Sequence, residues 1–335
     1  MRHASTHEGF IRHCLTVAGK GRGRVGNGAM VGSVLVRGDI MLAEGHHQAF
    51  GMPHAERQLL EKFDQKIDTK DILYVNLEPC VAHPSKKNLP CCESIVERGV
   101  RRLVYGMRDP DPRVAGRGIA YLMNAGVEVI GPVLPEECAR YNRGFVSMRT
   151  KGRPWITLKS AKTKAGMIAQ KDGQPLAITS QQQNAWSHTY LRARHDAILV
   201  GVGTVLTDNP SLTIRSLKSP PHSIRIILDP SLRIPVSSHV LTVTPDASTI
   251  IIASHDAIES MSERALRISE RGARVCGVSY SQGRFDWTEL WSVLTRPTPT
   301  YCGLTSLVVE GGKKTWDTFI ESSMVDERVT LVGTA

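Results

Sequence analysis

Apolar and polar positions alternate along the chain in a pattern that predicts strands separated by helices. Short apolar runs bounded by glycine predict strands, and apolar residues spaced three or four apart predict helices. In the first half, the strands are MVGSVLV, ILYVNL, VRRLVYGM and VEVIG, and the helices between them are HAERQLLEKF, CCESIVERG and GRGIAYLMNAG. We expect glycine to cap the C-terminus of these helices. This alternation predicts a mostly parallel sheet with helices on both faces.

The second half repeats this alternation after a short basic segment. The strands are predicted at WITLKSA, AILVGVGTVL, IRIILD, TIIIAS, ARVCGV, SLVVEGG and RVTLVG, and the helices at AIESMSERALRISERG, WTELWSVL and TWDTFIESSMV. The segment SMRTKGRP, residues 147–154, is basic and contains Gly and Pro. Such composition is typical of a boundary between domains. We therefore predict two α/β domains, at 1–148 and 153–335.

Length and composition are those of a globular protein with two domains. The chain has 335 residues, of which 41% are hydrophobic and 22% charged. No run approaches the roughly 20 apolar residues that cross a bilayer, and the polar start MRHASTHEGFIRHCL lacks the apolar core of a signal peptide. The seven cysteines are odd in number and irregularly spaced, which favours reduced thiols over a disulfide framework. These features predict a soluble, cytoplasmic protein.

The formal net charge of +10 only partly restricts the class of binding partner. Such a charge suits nucleic acid, a membrane surface or a phosphorylated small molecule. Aromatic residues make up 5% of the chain and do not alternate with basic residues, so stacking on nucleic acid has little support. Neither a nucleic-acid partner nor a membrane is expected.

Candidate metal chemistry begins in MPHAERQLL, where His54 stands two places before Glu56. Downstream, Cys80 and Cys91 each follow a proline and lie near a predicted helix start. The partial positive charge at a helix N-terminus favours the thiolate, which is the form that binds zinc. One imidazole and two thiolates leave a fourth tetrahedral position for water, as in catalytic zinc sites. Glu56 would carry the proton, the role of the glutamate in zinc deaminases.

Two alternatives remain at this site. His54 could cap a helix while the cysteines act as small buried hydrophobes, although two Pro-Cys pairs together with the His-x-Glu pattern favour zinc. Cys92 directly follows Cys91, so either thiol of this pair could reach the metal. We favour Cys91 because it follows the proline.

Several motifs together resemble one family, the bifunctional riboflavin-biosynthesis deaminase/reductases. EGHHQAFGMPHAE, LEPC followed by PCC, and DPDPRVAGRG resemble its deaminase half, whereas LRARHDAILVGVGTVLTDNPSLTIR and VVEGGKKTWDTFI resemble its reductase half. The resemblance implies a cytidine-deaminase-like three-layer domain followed by a dihydrofolate-reductase-like domain. It also implies zinc-dependent deamination of 2,5-diamino-6-(5-phosphoribosylamino)pyrimidin-4(3H)-one, then reduction of the ribosyl group to ribityl by NADPH.

The resemblance also implies roles for individual residues. His54, Cys80 and Cys91 would bind zinc, and Glu56 would be catalytic. The positions that would contact substrate are His47, His83, Lys159, Arg192, Asp208, Leu212, Arg215 and Glu310. The positions that would contact NADPH are Ala161, Ala177, Thr204, Asp208, Gly311 and Gly312. Arginines suit the substrate phosphate through bidentate hydrogen bonds, and glycines after a strand allow the backbone to approach a cofactor.

The chain also departs from the family pattern. The sequences of the loops at 26–32 and 81–90 differ from the family motifs. An aspartate of the family pattern is replaced by Ala165 and a tryptophan by Ala177. The chain also ends before the family's usual end. We therefore expect a reductase-like domain that is short at its C-terminus. These departures motivate one alternative, a diverged deaminase whose reductase-like half is impaired or acts as a scaffold. A second alternative is a deaminase of another nucleobase or of nucleic acid. The sequence leaves open whether the chain forms a homo-oligomer.

Overall fold

The computed structural model describes residues 6–82, 90–166, 178–215, 223–242 and 248–333. The chain divides into two compact units, Met1–Gly152 and Arg153–Ala335. Gly152 follows a helix and takes a left-handed conformation with φ of 66°, which glycine adopts at little cost. Among the described residues, every helix is too short or too polar to span a bilayer.

The first unit is built from helices and strands in alternation. Its helices are α1 His7–Ala18, α2 Ala55–Lys62, α3 Cys91–Glu97, α4 Arg117–Asn124, α5 Pro135–Tyr141 and α6 Arg143–Lys151, with a short 3-10 turn at Gly19–Gly21. Its strands are β1 Gly32–Arg37, β2 Ile40–His46, β3 Asp71–Leu77, β4 Arg102–Met107 and β5 Glu128–Ile130. The five strands form one sheet in the order β2-β1-β3-β4-β5.

This sheet is mixed, so the prediction of a mostly parallel sheet was wrong for the first unit. β1 pairs antiparallel with both β2 and β3, whereas β3, β4 and β5 run parallel. Strand β2 was not predicted from the sequence. It forms a hairpin with β1 through a turn at Gly38 (φ 59°). Most of β2 is exposed or half-buried, including Ile40 and Met41. Its apolar run covers only residues 40–43 and is followed by Glu, Gly and His, so it gave a weak strand signal.

Helices cover both faces of this sheet, as predicted, and two glycines show how closely they approach. A Cβ on Gly32 would lie 2.1 Å from the Cys14 carbonyl oxygen of α1, and one on Gly45 would lie 2.5 Å from the Ala55 carbonyl oxygen of α2. Gly45 pairs with Ser33, the neighbour of Gly32. Adjacent positions on a strand point to opposite faces. Helices α1 and α2 therefore lie on opposite sides of the sheet, giving three layers.

Glycine caps two of the three predicted helices. Gly99 after α3 and Gly126 after α4 have φ values of 78° and 81°. Helix α2 instead ends at Phe63, which is extended and buried in the core, so that prediction was wrong there. Burial of an aromatic ring contributes roughly 2–3 kcal/mol, and this packing ends the helix without a left-handed residue.

The second unit holds a larger sheet. Its helices are α7 Gln181–Trp186, α8 Val202–Asp208, α9 His239–Thr242, α10 His255–Ser260, α11 Ser262–Glu270, α12 Trp287–Thr295 and α13 Lys313–Glu321. Between α7 and β7 lie a π-helix, Ser187–Leu191, and a 3-10 turn, Arg192–Arg194. Its strands are β6 Trp155–Lys162, β7 Ala197–Gly201, β8 Ile224–Leu228, β9 Thr249–Ala253, β10 Arg274–Gly277, β11 Tyr280–Ser281, β12 Arg284–Phe285, β13 Ser306–Val309 and β14 Glu327–Val332.

The prediction of a parallel sheet is confirmed in this unit. The strand order is β10-β9-β8-β7-β13-β6-β14, and every neighbouring pair is parallel. Residues of β7 alternate between two cores: Ala197 and Leu199 pack into one, and Ile198 and Val200 into the other. Both faces of the sheet are therefore buried. Strand β13 lies between β6 and β7, which places the residues after it at the centre of the carboxyl edge.

Three local predictions in this unit were wrong. The apolar run AILVGVGTVL is a strand only to Gly201, after which residues 202–208 form α8. The single helix predicted through AIESMSERALRISERG is two helices divided at Met261. The two-stranded hairpin of β11 and β12 was not predicted. In each case, the local hydrophobic pattern did not predict the position at which the backbone turns.

Candidate active sites

Three potential metal ligands meet at one point of the first unit. His54 is the residue before α2, Cys91 is the first residue of α3, and Cys80 follows β3. Their ligand atoms all lie within 4.8 Å of one another. The His54 Nδ1 atom is 3.3 Å from the Cys91 Sγ and 3.6 Å from the Cys80 Sγ. The structure thus brings together the three residues singled out in the sequence.

The donor set and its spacing fit a tetrahedral zinc ion. At Zn–S and Zn–N distances of about 2.3 and 2.0 Å, tetrahedral ligand atoms lie about 3.5 Å apart. The Cys91 backbone N–H lies 3.5 Å from the Cys80 Sγ and points a donor at it, which favours a thiolate there. The start of α3 adds the partial positive charge of a helix N-terminus beside both sulfurs. Three protein ligands leave a fourth position open.

Cys92 faces away from this cluster. Its Sγ donates to the carbonyl oxygens of Pro79 and Gly118, at 3.3 and 3.6 Å, and its side chain is fully buried. Consecutive helical residues point about 100° apart. When Cys91 points toward His54, Cys92 is therefore directed into the packing between α3 and α4.

Glu56 lies in the first turn of α2, in the wall of the cavity that also contains His54 and Cys80. Its side chain is almost wholly buried, and its Oε2 atom has no hydrogen-bond partner within the described part of the chain. A buried carboxylate oxygen without a partner is costly. Burial raises the pKa of the Glu56 carboxyl. This group can take up a proton inside the cavity and release it again.

The cavity has a volume of about 250 Å³. One wall is the segment 26–32, whose sequence differs from the family motif; it contributes Gly28, Ala29 and Val31. Next to it lies His47, whose Nδ1 atom is 3.3 Å from the Ala29 carbonyl oxygen and whose ring centroid is 5.4 Å from that of His54. Burial lowers the pKa of His47. The predicted contact His83 lies outside the described residues.

Five charged residues on the cavity wall were not predicted as site residues: Asp109, Asp111, Arg113, Arg149 and Glu78. The first three belong to DPDPRVAG, which was quoted for its resemblance but given no chemistry. Arg149 lies on α6, inside the basic segment that was interpreted only as a boundary. The recurrence of Asp and Arg near a predicted helix start could have suggested the first three. No pattern in the sequence links Arg149 to them.

In the second unit, Arg192 and Glu310 form a buried ion pair. Arg192 donates through Nε and Nη2 to the two Glu310 carboxylate oxygens, each at 2.7 Å, and through Nη1 to the Thr213 carbonyl oxygen at 2.8 Å. Burial raises the pKa of Glu310, but the charge and hydrogen bonds of Arg192 outweigh burial and lower it to about 2. The bidentate edge of Arg192 that was predicted for a phosphate is occupied here by a carboxylate.

His188 is a further residue of this site that was not predicted. It lies in the π-helix, its Nδ1 accepts from the Arg215 backbone N–H at 3.0 Å, and its Nε2 lies 3.5 Å from the Arg192 Nη1. An imidazole that accepts at Nδ1 carries its proton at Nε2 when neutral. Burial and the nearby charges of Arg192 and Arg215 lower the pKa of His188 to about 4. It is therefore neutral near pH 7, with an N–H beside the ion pair.

The remaining predicted substrate residues have varied surroundings. Lys159 lies on β6, beside β13, and its charge acts on both Glu310 and His188. Asp208 ends α8 and is exposed, as is Arg215. Leu212 is buried in a core cluster and has a φ of 48°. Because its side chain packs into the core, only the backbone of Leu212 is available for contact with a ligand.

The predicted cofactor residues lie partly at the carboxyl edge of the sheet, where ligands of open parallel sheets bind. Thr204 of α8 accepts from the Gly312 backbone N–H at 3.1 Å, which joins the ends of β7 and β13. A Cβ on Gly311 would lie 2.7 Å from the Gly201 nitrogen. Packing against β7 therefore already requires this glycine. Ala161 lies on β6, and Ala177 lies outside the described residues.

These residues fit a dinucleotide phosphate. Gly312 is the residue before α13, so the N-terminus of that helix lies at the carboxyl edge, and the partial positive charge of a helix N-terminus favours an anion.

Comparison with family models matches both units. Residues 4–107 match the cytidine and deoxycytidylate deaminase zinc-binding region. Residues 154–334 match the RibD C-terminal domain.

Similar proteins cover nearly the whole chain. The riboflavin biosynthesis protein RibD of Aquifex aeolicus is 33% identical over 97% of this chain and 86% of its own length. That of Bacillus amyloliquefaciens is 32% identical over 96% and 82%. A solved structure from Thermotoga maritima, described as a diaminohydroxyphosphoribosylaminopyrimidine deaminase/5-amino-6-(5-phosphoribosylamino)uracil reductase, has a TM-score of 0.75. It is 33% identical and covers 94% of this chain and 84% of its own.

Proposed function

Because the chain belongs to the RibD family of riboflavin biosynthesis proteins, we propose that its two units catalyse successive steps on one phosphorylated pyrimidine. The chain is a bifunctional deaminase and reductase. The first unit would hydrolyse the 2-amino group of 2,5-diamino-6-(5-phosphoribosylamino)pyrimidin-4(3H)-one. The second would reduce the ribosyl group of the product to ribityl with NADPH. The observation that carries the proposal is the meeting of His54, Cys80 and Cys91 beside the buried Glu56 carboxyl, whose Oε2 atom has no hydrogen-bond partner among the described residues.

In the deaminase unit, His54, Cys80 and Cys91 would hold the zinc, and Glu56 would move the proton. A bound zinc ion supplies Lewis-acid activation of water at neutral pH. The Glu56 Oε2 atom would accept a proton from the attacking water and pass it to the departing amino group, which leaves as ammonia. Its burial raises the pKa, so it can hold that proton between the two transfers. His47, whose ring lies beside that of His54, would contact the pyrimidine, and His83 remains a proposed contact.

In the reductase unit, the chain would orient substrate and cofactor, because hydride transfer belongs to the nicotinamide. Thr204, Gly311 and Gly312 would form the cofactor cradle at the carboxyl edge, with Ala161, Ala177 and Asp208 as further proposed contacts. Lys159, Glu310 and Arg215 would bind the substrate, with Arg192, Asp208 and the Leu212 backbone beside them. The tight hydrogen bond from Gly312 to Thr204 supports the cradle.

We also propose functional domains at 1–148 and 153–335, which is supported by the division into compact units at Gly152. A cytoplasmic location is supported by the cysteines, because none of the seven forms a disulfide. A homo-oligomer remains a proposal without a described interface.

The test is an assay of purified, zinc-loaded protein with the diaminopyrimidinone substrate. We expect ammonia release without NADPH, and one equivalent of NADPH oxidised per ammonia once the cofactor is added. Removal of zinc by a chelator should stop ammonia release, and readdition should restore it. Ammonia without NADPH oxidation would indicate the deaminase-only alternative. No ammonia from folded, zinc-loaded protein would overturn the deaminase assignment.

A further inference from the structure

One end of the deaminase cavity carries two arginines that the proposed chemistry does not use. Arg113 lies in the turn before α4, and Arg149 lies in the last turns of α6. Both line the cavity that contains His54 and Glu56. Two guanidinium groups from separate segments of the chain therefore face the space where the substrate would bind.

One carboxylate holds both arginines in place. Asp111 accepts from the Arg113 Nε at 2.8 Å, from its Nη2 at 2.5 Å and from its backbone N–H at 3.0 Å. The Nε of Arg149 lies 3.8 Å from the same carboxylate, and its guanidinium stacks 5.0 Å from the centre of the Phe145 ring. Long side chains anchored in this way lose less conformational entropy when a ligand binds.

Three carboxylates line this end of the cavity beside the two arginines, and each is held by other groups of the protein. Asp111 pairs with Arg113 and lies 3.8 Å from Arg149. Glu78 also lines the cavity, but its carboxylate accepts from the backbone N–H groups of Asp109, Gly116 and Gly118 and is directed toward the start of α4. Asp109 is buried and accepts from the Asp111 backbone N–H. His47, His54 and Glu56 lie with the metal ligands.

Arg113 still has donors to offer. Arginine has five N–H groups in a planar fork, and the Asp111 carboxylate uses one on Nε and one on Nη2. The outer edge of the fork is left for a ligand, and the side chains of Arg113 and Arg149 are 55% and 35% exposed. This is the geometry by which arginine recognises phosphate.

We propose that Arg113 and Arg149 form a phosphate subsite, by which the deaminase unit selects a phosphorylated pyrimidine over the same compound without phosphate. The inference rests on the proposed deaminase function. It adds the residues that recognise the phosphate in this half of the chain. Asp111 is the positioning residue that sets the spacing of the two guanidinium groups.

The test compares ammonia release from two substrates, the phosphoribosylamino-diaminopyrimidinone and its dephosphorylated form. The variants are Arg113→Gln and Arg149→Gln, each in the full-length, zinc-loaded protein. The matched control is Arg117→Gln, which removes the same charge from an exposed position on α4 that does not line the cavity. Zinc content and NADPH oxidation with the deaminated product verify folding of each variant.

We expect kcat/KM for the phosphorylated substrate to fall about 10- to 100-fold in each cavity variant, because a charge-assisted hydrogen bond is lost. The dephosphorylated substrate should be turned over as by the wild type, and Arg117→Gln should change neither. Arg113→Lys should keep part of the preference, since it keeps the charge but not the fork.

Three results would overturn the inference. They are a wild type without phosphate preference, cavity variants that keep the full preference, and an equal loss on both substrates. The proposed function fails separately, if zinc-loaded wild type releases no ammonia from either compound.

Discussion

The two candidate sites differ in what their polar groups do before a ligand arrives. In the first unit, the ligand atoms of His54, Cys80 and Cys91 face one another, and no described residue forms a hydrogen bond with the Oε2 atom of Glu56. In the second unit, Arg192 and Glu310 satisfy each other through two hydrogen bonds of 2.7 Å. The deaminase site is arranged to receive a metal and a proton. The reductase site is held together by its own charges.

This difference has an energetic consequence. Charged groups that already pair with each other must keep that pair or replace it when a ligand binds, and breaking a buried pair costs about 3–5 kcal/mol. We infer that Arg192 mainly keeps Glu310 ionised and in place, while Arg215, which is exposed, is the arginine available to a phosphate. The same residue type thus has two roles that are set by burial.

The largest expected effect comes from removing a metal ligand. In Cys91→Ala, zinc content should fall from about one ion per chain to near zero, and ammonia release should stop, because two protein ligands bind zinc poorly. Cys92→Ala, the matched control, should keep zinc and activity. Elemental analysis and an ammonia assay measure both. Zinc loss in the Cys92 variant alone would reassign the ligand.

In the reductase unit, removing one partner of the ion pair should destabilise the fold. Glu310→Gln should lower the free energy of unfolding of the second unit by about 3–5 kcal/mol, because Arg192 is left buried without a counter-charge. Tryptophan fluorescence reports this unit alone, since every tryptophan lies in it: Trp155, Trp186, Trp287, Trp291 and Trp316. Zinc content and ammonia release should not change. A loss below about 1 kcal/mol would show that the pair is not structural.

The same pair should make the second unit sensitive to acid. Burial raises the pKa of Glu310, but pairing with Arg192 lowers it from 4.5 to about 2. Because the folded pKa lies below the unfolded one, the stabilisation is present above pH 4.5 and is lost as the pH falls toward 2. It amounts to about 3 kcal/mol. The stability difference between wild type and Glu310→Gln should therefore narrow across that window. A constant difference would contradict the assignment.

The smallest effect is expected from an exposed ion pair in the same unit. The Lys313 Nζ and Asp317 Oδ2 atoms lie 2.6 Å apart on α13, and the two side chains are 72% and 41% exposed. Asp317→Asn should leave the free energy of unfolding unchanged within measurement error, because solvent screens exposed pairs. The variant is thus the control for Glu310→Gln in the same fluorescence measurement. A large loss of stability in Asp317→Asn would show that burial does not explain the difference between this ion pair and the Arg192–Glu310 pair.

The metal site was predictable because its chemistry lies in short motifs. His54 and Cys91 stand at helix starts as predicted, whereas the prediction was wrong for Cys80, which follows β3. His54 and Glu56 are two residues apart, and Cys80 and Cys91 each follow a proline, so local sequence already indicates a common function. The choice between Cys91 and Cys92 followed from the proline, and it agrees with the direction of each thiol in α3.

Long-range pairing was not predictable in the same way. Arg192 and Glu310 are separated by 118 positions, and Arg149 meets Asp111 only because α6 packs beside the turn before α4. Strand β2 was missed because its apolar run is only four residues long, 40–43, in a strand that is mostly exposed or half-buried. Residue type indicated that these charges could bind a ligand, whereas only the fold shows which of them bind each other.

The most direct test of the account is the rate of ammonia release per bound zinc ion in Glu56→Gln. The glutamine keeps the size of the side chain and cannot carry the proton. We predict full zinc content and a rate about 10²- to 10⁴-fold below wild type, the range for loss of a general acid-base group. A rate within threefold of wild type at equal zinc content would contradict the role of Glu56.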